Sequence, residues 1–155
     1  MSDTGMNFQH IDILLVEDNT SDAELTLRAL RRRHLANAVL HVLDGEEALE
    51  FLRGEGRFAG RETQRAPKVV ILDLKLPKID GLQVLRAMKA DEKLKAIPVV
   101  MLTSSRQERD ILEAYKLGVN SYIVKPVEFD SFAEAVANLG FYWLMLNERP
   151  VQQGN

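Results

Sequence analysis

Val69-Val70-Ile71-Leu72-Asp73 is a continuous apolar run that stops on a carboxylate, and its reading decides the fold. A run this short, with no polar alternation, suits a strand covered on both faces. Ile11-Asp12-Ile13-Leu14-Leu15-Val16, Val39-Leu40-His41-Val42-Leu43, Val99-Val100-Met101-Leu102 and Tyr122-Ile123-Val124 read the same way. Helical stretches lie between these runs. Ala23, Leu27 and Leu30 recur at helical spacing behind a capping pair, Ser21 and Glu24. Asp44 with Glu47, Asp80 with Gln83 and Ser105 with Glu108 open three more helices, the last of them stopping at Gly118. A final helix starts near Glu128 and presents Phe129, Phe132, Val136, Leu139 and Trp143. Strands alternating with helices imply an α/β fold, doubly wound, with a parallel sheet between two helical layers.

In such a sheet the functional crevice lies at the carboxyl ends of the strands. Those ends carry Glu17-Asp18, Asp73, Thr103-Ser104 and Lys125-Pro126. Crowded carboxylates repel one another, and a raised pKa or a cation must relieve the repulsion. The chain has no cysteine and 3 scattered histidines, so disulfides, thiolate nucleophiles and a zinc site are excluded or disfavoured. An all-oxygen cage suits Mg²⁺ instead. A carboxylate beside Mg²⁺ can attack a phosphoryl group and become an acyl phosphate.

These residues stand inside longer strings: Leu15-Val16-Glu17-Asp18-Asn19, Ile71-Leu72-Asp73-Leu74-Lys75-Leu76-Pro77-Lys78-Ile79-Asp80-Gly81, Val100-Met101-Leu102-Thr103-Ser104-Ser105, and Leu117-Gly118-Val119-Asn120-Ser121-Tyr122-Ile123-Val124-Lys125-Pro126-Val127. Together they resemble the CheY-like receiver domain of two-component response regulators, over residues 9–147. The resemblance implies a flavodoxin-like (βα)5 fold with strand order 2-1-3-4-5. It also implies a phosphorelay role: a sensor histidine kinase donates a phosphoryl group to Asp73. The same resemblance has Asp18, Asp73 and the Lys75 backbone carbonyl hold Mg²⁺ directly, with Glu17 acting mostly through water. It makes Lys125 a partner of the phosphoryl oxygens, Thr103 and Tyr122 the switch pair, and Lys125–Pro126 a cis bond. Glu17 stands where the family more often has Asp. A narrower likeness is to single-domain regulators that partner bacterial phytochrome histidine kinases. It rests on Glu17-Asp18-Asn19-Thr20-Ser21-Asp22, the long loop 54–67 and Phe141-Tyr142-Trp143-Leu144.

Each residue has a plainer reading. A lone Asp73 would be a turn or helix cap, Thr103 a cap for the next turn, Tyr122 ordinary core and Lys125 a solvated charge. Arg31-Arg32-Arg33 fits a solvated helix end better than a nucleic-acid contact. Loop 54–67, long for a helix-to-strand connection, either meets a partner or is merely tolerated. The aromatic run at 141–143 is apolar on more than one face; core packing explains part of this and a homodimer through the last helix the rest.

The competing functions are two. A phosphatase of the haloacid dehalogenase type also uses a strand-end Asp, but it carries a second Asp two residues later, where this chain has Lys75. A pseudo-receiver that binds without phosphorylation would not need the intact acids, hydroxyl and lysine. The expected protein is therefore a phosphoacceptor that assists its own phosphorylation and dephosphorylation, rather than a turnover enzyme.

The whole chain fits this reading. Its 155 residues, 46% of them hydrophobic, suit one domain with one core. A formal net charge of −3 gives no argument for nucleic acid or membrane. No apolar run reaches membrane-span length and no secretory leader is legible, so a cytoplasmic location is expected. Residues 1–8 and 148–155 read as flexible ends, and no DNA-binding output domain is expected after residue 147.

Overall fold

A computed structural model describes residues 11–139 apart from 36, 37, 64, 127, 129 and 137. The ends expected to be flexible, the domain bounds at 9 and 147, and the residues Phe129 and Phe141-Tyr142-Trp143-Leu144 lie outside the described residues. The elements are β1 (Ile13–Val16), α1 (Thr20–Arg32), β2 (Val39–Val42), α2 (Gly45–Arg53), β3 (Val69–Leu72), α3 (Gly81–Lys89), β4 (Val99–Thr103), α4 (Glu108–Lys116) and β5 (Ser121–Val124). A further helix, α5, runs over residues 130–136. All pairings are parallel and the order is β2-β1-β3-β4-β5, the doubly wound, flavodoxin-like arrangement.

Alternation along each strand splits the core into two layers. Leu14, Val16, Val70, Leu72, Val99 and Met101 point toward α2, α3 and α4. Ile13, Leu15, Val69, Ile71, Val100 and Leu102 point toward α1 and α5, where Leu30, Phe132 and Val136 close the layer. β1, β3 and β4 are buried throughout, and the edge strand β5 is half-buried along its length. No helix among the described residues is long and apolar enough to cross a membrane.

The helix starts correct two expectations. Asn19, not Ser21, caps α1, its Oδ1 accepting from the Asp22 amide at 2.9 Å. Ser105 does not cap α4: the N-cap is Gln107, without a side-chain bond, and the Ser105 hydroxyl donates to Asp110 at 2.6 Å. The other starts hold. Asp44 caps α2 and Asp80 caps α3, the latter with Gln83 in a full capping box. Glu128 accepts from the Ser131 amide at 2.7 Å ahead of α5. α4 ends as expected, with Gly118 at φ 97 just past the Leu117 cap.

Loop 54–67 is part of the fold. Its 3-10 turn, Gly56–Phe58, buries Phe58 edge-on against Phe51 of α2, with centroids 5.2 Å apart. The Arg61 guanidinium lies 4.1 Å over the Phe51 ring. A buried aromatic pair with a cation on its face accounts for the loop's length by internal packing.

Candidate functional site

Strand order reverses at β1, and the strand ends beside that reversal bring the predicted acids together. One oxygen each of Glu17, Asp18 and Asp73 lies within 4.8 Å of the others. Glu17 and Asp73 are buried, whereas Asp18 is exposed. Local backbone sets their aim. The Asn19 amide donates to Glu17 Oε2 at 3.1 Å and the Lys75 amide to Asp73 Oδ1 at 3.2 Å. His41, on β2, contacts the Glu17 carbonyl oxygen through Nε2 at 2.7 Å.

Lys125 reaches in from the end of β5, next to a cis bond to Pro126. Its ammonium donates to Glu17 Oε1 at 2.8 Å, Asp22 Oδ2 at 2.9 Å and Asp73 Oδ2 at 3.1 Å. Burial works against the Lys125 charge, but the bonds to Glu17, Asp22 and Asp73 outweigh it and hold its pKa above the ordinary lysine value.

Glu17 shows the crowding directly. Burial pushes its carboxyl up to about 7; the Lys125 hydrogen bond pulls back and the Asp73 charge pushes further up. The sign of the linkage follows. A folded pKa above the ordinary 4.5 means the native state favours the proton on Glu17. That contribution to stability is complete below about 4.5 and is lost as pH rises toward about 7. Glu17→Gln removes the penalty. In the metal-free protein the variant should therefore gain on the wild type in urea midpoint as pH climbs through this window. A difference that stays flat with pH would place the titration elsewhere.

The donor set fits a hard divalent cation. It is all oxygen, it converges from two strands, and a single ammonium leaves it net negative. Thr103, another predicted site residue, is fully buried at the end of β4. The Tyr122 hydroxyl donates to the Ser105 carbonyl oxygen at 3.1 Å, and burial foremost raises its pKa. Ser105 links this pair, because its amide donates to Thr103 Oγ1 at 3.3 Å. An open groove of about 550 Å³ runs beside the acids, from Asp18 and Lys75 to Gln107 and Arg109. Asp22, His41 and Asp110 were not singled out from the sequence as site residues. Asp22 and His41 stood in quoted strings, but nothing local marks Asp22 as a partner of a lysine 103 residues away.

Residues 13–137 match the model of the family described as response regulator receiver domain. The bacteriophytochrome response regulator RtBRR is similar in structure, with a TM-score of 0.74 and 55% identity, covering 83% of this chain and 76% of that one. The probable methanogenesis regulatory protein FilR2 of Methanothrix harundinacea is 43% identical over 141 residues, 89% of this chain and 86% of its own. The response regulator Rcp1 of Synechocystis is 36% identical over 132 residues, 85% of this chain and 88% of its own. A Mn(2+)-bound form of Rcp1 superposes with a TM-score of 0.71, covering 85% of this chain and 93% of that one.

Proposed function

The chain belongs to the response regulator receiver domain family and so to phosphorylation-based two-component signalling, and on that premise we propose that Asp73 is its phosphoacceptor. One observation carries the assignment. Asp73 is a buried carboxylate at a strand's carboxyl end, hydrogen-bonded to Lys125 and within 4.8 Å of two further acids.

In this reading a sensor histidine kinase presents its phosphoryl group at the crevice. A carboxylate oxygen of Asp73 forms the new bond to phosphorus as the bond to the donor nitrogen breaks. Receiver domains bind a divalent metal. Here Asp18, Asp73 and the Lys75 carbonyl, with Glu17 behind them, would hold Mg²⁺, which neutralises charge on the transferring group. Lys125 neutralises another oxygen. Thr103, at the floor of the site, senses the phosphoryl group through its hydroxyl, and Tyr122 reports the change through Ser105 to the β4–α4 loop.

Receiver domains pair with histidine kinases. The likeness to a bacteriophytochrome response regulator supports a phytochrome-type kinase as the partner of this one. We place the reaction in the cytoplasm and the receiver domain over residues 9–147, with no turnover of free phosphate esters. A homodimer through the last helix rests on the aromatic run at 141–143. It is dropped if light scattering finds a monomer at high concentration, with and without phosphodonor.

The test is intact mass after incubation with acetyl phosphate. A gain of one phosphoryl group with Mg²⁺, and none after chelation, is expected. No gain, together with no beryllofluoride adduct, would leave a receiver that acts by contact alone.

A further inference from the structure

Past the end of β1 the chain passes straight into the acidic cluster, and a side chain from β2 holds that passage. The Glu17 amide extends the parallel ladder by one residue, donating to the Val42 carbonyl oxygen at 3.1 Å. The carbonyl of the same residue points to the same neighbouring strand. β2, however, stops at Val42 and turns away: the Leu43 amide donates to Glu47 Oε1 at 3.1 Å and Asp44 caps α2. The Glu17 carbonyl takes its donor from a side chain instead. His41, half-buried and opposite Leu15 in the sheet, reaches forward along the strand and sets Nε2 2.7 Å from that oxygen. A carbonyl oxygen only accepts, so Nε2 carries the proton. The Glu17 carbonyl and the Asp18 amide form one planar unit. Turning that plane changes ψ of Glu17 and φ of Asp18 together, and with them the points from which both carboxylates leave the chain. The Glu17 carboxylate is also tied by Lys125 and the Asn19 amide. Asp18 is exposed, so its aim depends on the backbone beneath it.

We propose that His41 is a positioning residue of the metal site: its Nε2–H fixes the Glu17–Asp18 peptide, and through that peptide it presents Glu17 and Asp18 to a divalent cation beside Asp73. The imidazole is not itself a ligand. It works one shell out, as hydrogen-bond partners behind metal ligands generally do, except that here the bond is to the backbone between two acids. This rests on the reading of Glu17, Asp18 and Asp73 as the metal site.

The test titrates wild type, His41→Val and His41→Gln with Mn²⁺ alone, reading free Mn²⁺ by electron paramagnetic resonance. The Asp18 amide is followed by NMR in the metal-free proteins, and urea unfolding reports stability. Valine suits a strand but donates nothing. Its Mn²⁺ Kd should rise about tenfold, the low end for a group that acts from behind the ligands. Glutamine carries an N–H at a similar reach and should bring the Kd back toward wild type. The Asp18 amide resonance should move in His41→Val and return in His41→Gln. His34→Gln removes an exposed histidine just past α1 and should leave the affinity alone. A merely structural role for His41 would lower the urea midpoint of His41→Val with the Kd unmoved, and that result overturns the proposal. So does a His41→Gln that binds as weakly as His41→Val, since the imidazole rather than its N–H bond would then be what matters. A folded wild type that binds no Mn²⁺ overturns the metal-site reading, and this inference with it.

Discussion

Asp73→Asn gains no phosphoryl group from acetyl phosphate and Mg²⁺ under conditions where the wild type gains one. The amide keeps the size of the carboxylate, so the pocket need not repack. Its oxygen can still accept from the Lys75 amide or from Lys125, the two bonds that position the native side chain. What it loses is the anionic oxygen that attacks phosphorus, and no other effect offsets that loss. The fold should not suffer. Three acids share the crevice with one ammonium, and burial together with the Asp73 charge already pushes Glu17 up to about 7. Removing the Asp73 charge relieves part of that repulsion, so the metal-free variant should be at least as stable as the wild type near neutral pH. Intact mass reads the first expectation and urea unfolding the second. Uptake at the wild-type rate by a folded Asp73→Asn would move the acceptor elsewhere, with the exposed Asp18 the first residue to test.

How much of this was legible depended on whether the controlling interaction was local. The strands were, because burial on both faces leaves an uninterrupted apolar run such as Val69-Val70-Ile71-Leu72. The α3 start was, because Asp80 and Gln83 satisfy each other three residues apart. The α1 start was not. Ser21-x-x-Glu24 has the capping spelling, but Asn19 stands two residues earlier and takes the Asp22 amide first. Ser105 failed for a different reason: its hydroxyl donates to Asp110 and accepts from the Gln107 amide at 3.4 Å, so it accepts from the residue before the helix rather than from the first turn. Loop 54–67 has no period to read. Its order comes from Phe58 and Arg61 meeting Phe51 from outside the loop. The acids and Lys125 were legible as strand-end residues, since topology sends all such residues to one edge. Asp22 sits on a helix, and nothing in the spacing puts it on the same ammonium.

Gly81→Ala tests whether the turn behind Asp73 is as tightly built as the geometry says, and two opposed effects make its sign informative. Gly81 is the first residue of α3. Helix propensity alone would favour alanine there by up to about 1 kcal/mol. Space says the opposite. A Cβ at Gly81 would stand 2.2 Å from the Asp73 carbonyl oxygen, 2.7 Å from the Leu74 Cα and 3.0 Å from the Asp73 carbonyl carbon. All three are backbone atoms, so no side chain can rotate away. The Gly81 amide is also bonded to the Leu74 carbonyl at 2.8 Å, which ties the two chain segments at that spacing. Relief requires the 73–81 loop to move off α3, and that loop carries Asp73 and the Lys75 amide that aims it. Overpacking against rigid backbone belongs at or beyond the upper end of the usual range, about 3 kcal/mol, which outweighs the propensity gain. Urea unfolding of Gly81→Ala should show that loss. Phosphoryl uptake by the folded fraction should fall with it, because displacing the loop displaces the nucleophile. A variant as stable as the wild type would mean that the loop yields freely, and the close approach of α3 to the Asp73 backbone would then not be what holds the site in shape.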